Sequence, residues 1–193
     1  KQIMYRLITI AKNTFIETLR QPFYAIIIAA ALFLLALSPS LAMFTMTDDN
    51  KLLREIGLST LFLSSLFIAI FSASGAVADE VENKTIITVL SKPVQRPIFV
   101  LAKFSGVAAA VALAHYICSL GLLMAIRHGV LESVDDTNDW TVLGTGMIAA
   151  MLVIILSAFF NYVYDWKFSS TAVVLTAMFG TILIVFLSFI DRN

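Results

Sequence analysis

Five stretches of this chain, residues 23–44, 56–78, 98–126, 141–161 and 169–190, are apolar from end to end with almost no formal charge in their interiors. A helix that crosses the hydrocarbon core of a bilayer needs about 20 such residues, and each stretch is long enough. Apolar residues make up 60% of the 193-residue chain and charged residues 13%. Ordinary soluble domains carry roughly 45–50% and about 25%. A small soluble fold is mostly surface and has no interior that could take this excess. The pattern therefore predicts an all-α polytopic membrane helical bundle, with the whole chain, 1–193, forming one transmembrane domain.

Two residues modify the spans. Lys103 is the one basic residue inside the third run, close enough to its start for the ammonium to reach the headgroups. Pro39 falls late in the first run and is expected to kink or end that helix. The segment 1–22 differs from the runs. Ile3, Leu7, Ile8, Ala11, Phe15 and Leu19 recur at helical spacing, with Lys1, Arg6, Lys12, Asn13, Glu17 and Arg20 mainly between them. This is an amphipathic helix, lying in the membrane interface or packed on a soluble partner. It is not a signal peptide, because the apolar run that follows is too long and no small-residue cleavage site stands out.

Basic residues in short loops set orientation. Lys1, Arg6, Lys12, Arg20, Lys84, Lys92, Arg96, Lys103 and Lys167 fall on one side; Lys51, Arg54, Arg127 and Arg192 fall on the other. The richer side is expected to be cytoplasmic, which places the N-terminus and the loop 79–97 there. The opposite loops are acidic, with Asp48, Asp49, Glu55, Glu132, Asp135, Asp136 and Asp139. The expected location is the inner (cytoplasmic) membrane. Formal net charge is zero, which offers no pull toward nucleic acid.

The loop 79–97 carries the most information. Asp79, Glu80, Glu82 and Asn83 open it, residue types that suit a helix N-terminus. Ile86, Val89, Leu90 and Pro93 then recur at i, i+3, i+4 and i+7, one face of a short helix that Pro93 stops. An apolar face on a loop helix must be buried, either in the interface or in a groove on a soluble partner.

The series Glu82, Thr85, Ile86, Val89, Leu90, Ser91, Pro93 and Arg96, followed by Lys103 at the start of the next span, resembles the cytoplasmic coupling loop of type-2 ABC transporter permeases. The likeness is strongest to the branch linked to multi-copper enzyme maturation and gliding motility. The stretch from Ile10 through Asn13, Thr14, Phe15, Glu17 and Leu19 to Arg20 is similar to that family's interfacial entry helix. Lys84 stands where many members carry Gly, and Pro97 is an unusual neighbour for Arg96.

The resemblance implies a half-transporter with six spans that pairs with a second permease copy or a homologous permease. It also implies that the chain docks a cytoplasmic ABC ATPase through Glu82, Thr85, Ile86, Val89, Leu90, Pro93 and Arg96. The sequence contains no G-x-x-x-x-G-K-[ST] and no Gly-Lys pair, so it lacks the phosphate-cradling loop that such ATP hydrolysis needs. The chain is then non-catalytic and binds no cofactor; ATP and Mg sit on the partner ATPase. With the run 169–190 close to Asp191, Arg192 and Asn193, a further extracellular segment and a sixth span are expected to follow.

Within the spans the pattern speaks of packing. Gly106, Ala110, Ala114 and Cys118 recur every four residues, and Gly146 and Ala150 repeat the spacing in the fourth run. Such small-residue stripes let helices approach closely. Cys118 is the only cysteine, so no disulfide within the chain is possible, and it reads as a small buried side chain. Ser64, Ser65, Ser72 and Ser74 give the second run a polar flavour; serines in spans tend to bond their own helix carbonyls. His115 lies mid-span with no carboxylate in any run and reads as a neutral packing histidine. With only His128 beside it in the chain, no histidine cluster for zinc or haem can form.

Three function classes fit such a chain. A secondary transporter usually couples to ions through intramembrane carboxylates, and these runs hold none. A membrane anchor or assembly subunit fits uncharged spans as well as an exporter permease does. Only the segment from Glu82 to Arg96 separates the last two, and it favours the permease.

Overall fold

The computed structural model describes residues 2–42, 49–82, 96–130 and 139–190. Its described residues form six helices and no strand: α1 (Gln2–Arg20), α2 (Pro22–Ala42), α3 (Asp49–Glu82), α4 (Arg96–His128), α5 (Trp140–Tyr164) and α6 (Phe168–Ser188). Helices α2 to α6 each contain a segment long and apolar enough to cross a membrane. This is the all-α polytopic bundle the sequence predicts.

The boundaries follow local chemistry. Gln21 alone separates α1 from α2, and Pro22 opens α2, where its missing N–H is not needed and its φ is already helical. Asp139 caps α5, its Oδ1 accepting from the backbone N–H of Thr141 (3.0 Å) and Val142 (3.2 Å). Asp165 ends α5 in the left-handed conformation, φ 53°, which a short polar side chain tolerates. The turn into α6 is locked by Asn161, whose Nδ2 donates to the Trp166 carbonyl (2.6 Å), and by the stacked rings of Phe160 and Trp166, 5.3 Å apart. Exposed Tyr162, Tyr164 and Trp166 at this end, and exposed Trp140 at the other end of α5, are placed as aromatic belts at two membrane–water boundaries.

Two sequence expectations are corrected here. Pro39 neither ends α2 nor leaves an orphan carbonyl. The helix runs on to Ala42, and the Leu35 carbonyl, which Pro39 cannot serve, accepts from Ser38 Oγ at 2.7 Å. A neighbouring serine thus restores the bond the proline removes. Second, Asp79, Glu80 and Glu82 do not open a new helix; they finish α3. No Gly or Pro interrupts the chain between Ala76 and Glu82, so the span continues past the membrane, and the connecting segment narrows from 79–97 to 83–95. At 34 residues, α3 is about 51 Å long against about 30 Å of hydrocarbon, and both of its ends project. The helix expected over 1–22 is present as α1 (Gln2–Arg20), and only part of it is buried in the bundle. Thr14, Thr18 and Leu19 are buried, whereas Ile8 is 57% exposed beside exposed Met4 and Tyr5. The threonines lie at the crossing with α4, where small side chains allow a close approach. Thr18 Oγ1 satisfies itself on the Thr14 carbonyl at 2.9 Å.

The centre of the bundle is α4, which packs against α1, α2, α3 and α6, while α5 leans chiefly on α6. One buried cluster joins Leu19, Tyr24, Ile28, Ile68, Ala110, Ala114, Ile117 and Val173, drawing five helices together. A second joins Ala31, Leu35, Leu61, Cys118 and Leu122. The outer surface is apolar: Phe33, Phe62, Met151 and Ile182 are all at least 60% exposed. A surface of this kind is untenable in water and ordinary in lipid, where backbone groups are already satisfied within helices.

Candidate functional site

Of the coupling residues singled out by the sequence, the two that are described stand at the helix ends that flank residues 83–95. Glu82 is the last residue of α3 and Arg96 the first of α4. Thr85, Ile86, Val89, Leu90 and Pro93 lie outside the described residues. What is visible is how the two helix ends flanking them are held.

Three contacts hold these ends: one to the amphipathic helix, one to the elbow that follows it, and one between α3 and α4. Gly106 of α4 sits against the backbone of α1: a Cβ built there would lie 2.6 Å from the Ala11 carbonyl oxygen, 2.8 Å from Thr14 Cβ and 3.2 Å from the Phe15 nitrogen. Only hydrogen fits. The side chain of Gln21, in the elbow between α1 and α2, lies over Gly75 of α3, with Nε2 2.9 Å from where a Cβ would be. Lys103 of α4 donates from Nζ to the Ala76 carbonyl of α3 (3.2 Å) and lies over the Phe99 ring, 5.7 Å from its centroid. The ammonium, expected to reach the headgroups, is thus also a bridge between the helices on either side of the segment 83–95.

Deeper in the bundle, Ala110, Ala114 and Cys118 continue the line from Gly106, all three buried. Tyr24 of α2 is wholly buried against this line, and its hydroxyl donates to the Ala110 carbonyl at 2.6 Å. Gly146 and Ala150 of α5 are placed differently. They line a cleft of about 470 Å3 between α2, α4 and α5, together with Leu32, Pro39, Gly121 and Met124. A Cβ on Gly146 would meet only Met124 Cε, at 3.2 Å.

Polar side chains in the spans form local pairs. Ser64 Oγ donates to its own helix at the Leu61 carbonyl (3.1 Å) and lies 3.8 Å from Cys118 Sγ. Ser72 is buried with its hydroxyl unpaired among the described residues. Tyr116 Oη and Thr181 Oγ1 are 2.8 Å apart across α4 and α6. His115 is not a packing residue: it is exposed, and its Nδ1 lies 3.0 Å from Ser65 Oγ on α3. One element escaped the sequence reading entirely. Arg127, counted there only as a loop charge, donates from Nη1 to the Leu187 carbonyl (2.5 Å) and from Nη2 to the Ile190 carbonyl (2.7 Å). It closes the C-terminal end of α6, where carbonyls lack helical partners and a cation meets the negative end of the dipole. Its place in the last turn of α4 hints at capping, but of α4's own end; nothing in the sequence links it to α6.

The arrangement contains helix contacts and interfacial anchors, with no constellation for bond-making chemistry among the described residues. No curated protein and no solved structure matches this chain. A family profile described as ABC-2 family transporter protein does match, over residues 18–184, from the end of the amphipathic helix into the fifth span. The chain therefore belongs to the ABC-2 transporter family, as a multi-pass transmembrane permease subunit of an ABC transporter.

Proposed function

We propose that this chain is the membrane half of an ATP-driven exporter, with its N-terminus and the segment 83–95 in the cytoplasm of a cell bounded by the inner membrane. A separate ABC ATPase, carrying ATP and Mg, docks on that segment, and a second permease copy or a homologous permease completes the path. The observation that supports this reading most is the way α3 and α4 flank the segment as helices of 34 and 33 residues, α4 seated on α1 at Gly106, α3 against Gln21 in the elbow after α1, and the two joined to each other by Lys103. A push on residues 83–95 then moves rigid elements rather than a loop. The ATPase would act as a ligand that favours one of two bundle arrangements, and it shifts the balance only by its differential affinity for them.

The test is substitution of the apolar series. Burying Ile86 or Leu90 in an ATPase groove is worth roughly 1.5–3 kcal/mol each, and an aspartate would lose this and add a desolvation cost. Leu90→Asp and Ile86→Asp should each weaken ATPase capture by at least about tenfold per 1.4 kcal/mol while the permease stays monodisperse by size exclusion. Unchanged capture and unchanged ATP-driven transport by well-folded variants would replace the exporter with a membrane anchor or assembly subunit.

A further inference from the structure

The outside of the bundle is not uniformly suited to lipid, and the departure lies on α4. One face of this helix packs inward through Gly106, Ala110, Ala114 and Cys118. The opposite face is left uncovered by the described residues, with α3 along one side and α6 along the other. The exposed middles of the other spans are dominated by large apolar side chains, such as Phe33 on α2, Met151 and Ile154 on α5, and Met178 and Ile182 on α6. Between Gly106 and Leu122 the exposed residues of α4 are Ala108, Ala109, Ala112, His115 and Tyr116, with no large aliphatic side chain among them.

The polar pair lies deep. The span of α4, Pro97–His128, has 32 residues and is about 48 Å long. His115 and Tyr116 lie about 27 and 28 Å from its first residue. The hydrocarbon layer is about 30 Å thick, so wherever that layer falls along the helix it contains both. Their hydrogen bonds run sideways to the flanking helices and leave capacity facing outward. His115 Nδ1 lies 3.0 Å from Ser65 Oγ on α3, and Nε2 makes no hydrogen bond among the described residues. Thr181 Oγ1 on α6 donates to the Ala177 carbonyl (2.6 Å), so Tyr116 Oη is the donor in its 2.8 Å bond to Thr181, and the phenol oxygen keeps open acceptor sites. Polar groups turned to hydrocarbon without partners are costly. Ionisable side chains within spans face a bundle interior or a water-filled cavity, where they mark transport paths.

We propose that the outward face of α4 between α3 and α6 lines the water-filled part of the translocation path. The Ser65–His115 and Tyr116–Thr181 pairs are the polar groups that meet a passing substrate carrying hydrogen-bond donors and acceptors, and the alanines keep the wall beside them clear. The inference rests on the permease reading above and adds to it the face of the chain that borders the path.

The probe is a cationic methanethiosulfonate, which reacts with thiolate and so only where water reaches the sulfur, applied to unsealed membranes carrying the assembled permease. In a Cys118→Ala background, Ala108→Cys and Ala112→Cys should be modified at least about tenfold faster than Met151→Cys on α5 and Ile182→Cys on α6, read as the mass shift after quenching. His115→Leu should slow modification at Ala112→Cys several-fold by removing the group that holds water there, and His115→Gln should restore it. Equal rates at all four cysteines would overturn the inference, because no face would then be singled out as wet. A disulfide between two copies at Ala112→Cys, without modification by the reagent, would show a dry contact with a second permease and overturn it as well. Undiminished modification of Ala112→Cys in His115→Leu would overturn the role given to His115. ATPase capture by the Leu90 variant is read separately: an α4 face closed to the reagent beside normal dependence on Leu90 would defeat this inference and leave the permease reading standing.

Discussion

Replacing Gly106 with alanine is the sharpest test of how α1 is mounted on the bundle. The new methyl would sit 2.6 Å from the Ala11 carbonyl oxygen and 2.8 Å from Thr14 Cβ, several tenths of an ångström inside ordinary contact. The Ala11 oxygen and the Phe15 nitrogen are backbone atoms, so no rotamer change relieves the clash; α1 must move as a body. Overpacking of this kind costs about 1–3 kcal/mol, against which alanine recovers up to about 1 kcal/mol of helix propensity within α4. A net loss of about 1–2 kcal/mol raises the population of undocked α1 by roughly five- to thirtyfold. Trypsin reads this population at Lys12, exposed on α1, when docking is fast relative to cleavage. Cleavage after Lys12 in detergent should accelerate by that factor in Gly106→Ala and by more in Gly106→Leu. Gly144→Ala is the control, because a Cβ at Gly144 meets nothing within 4 Å; it should leave cleavage unchanged and hold or slightly raise the thermal midpoint. If Gly106→Ala is cleaved at the wild-type rate and melts no lower, the close approach of α1 to α4 is wrong. The mechanical link drawn from α1 to the segment 83–95 would fail with it.

Tyr24→Phe removes the hydroxyl that donates to the Ala110 carbonyl and should lower stability by about 1 kcal/mol, read as the unfolding midpoint in a denaturing detergent titration. Arg127→Ala should uncover the Leu187 and Ile190 carbonyls, at about 1.5–3 kcal/mol for hydrogen bonds to a charged group. Faster amide exchange confined to the end of α6 is the signature, and Arg127→Lys, which cannot fork across both carbonyls, should restore it only in part. Ser38→Ala should destabilise α2 in the natural background, where Leu35 would lose its partner, and should be nearly neutral in Pro39→Ala, where the backbone N–H is restored; additivity in this double-mutant cycle would refute the substitution of serine for the missing backbone donor. In a Cys118→Ala background, cysteines at Asn50 and Thr137 should react with an impermeant thiol reagent from outside intact cells, and cysteines at Asn83 and Gln95 only after permeabilisation; the reverse pattern would invert the orientation.

The spans were legible in the sequence because the bilayer imposes one demand on every residue of a crossing helix. About 20 apolar residues must follow one another, and no tertiary partner is needed to see it. Small-residue spacing was legible for a related reason: four residues return a helix to nearly the same face, so Gly106, Ala110, Ala114 and Cys118 had to share a side. Which neighbour each stripe meets was not in the spacing. Gly106 lies against α1, Ala110 under Tyr24, and Gly146 on an open cleft, because these outcomes depend on where a second helix, remote in the chain, happens to cross. Polar residues were misjudged for the same cause. Read alone, His115 in an apolar run is a neutral packing histidine, and Arg127 at the end of a run is a loop charge. Only the fold brings Ser65 to the first, 50 residues away, and the α6 carbonyls to the second, 60 residues away and more. Hydropathy is a property of consecutive residues and survives without a fold; hydrogen-bond partners across helices come into being when the helices pack.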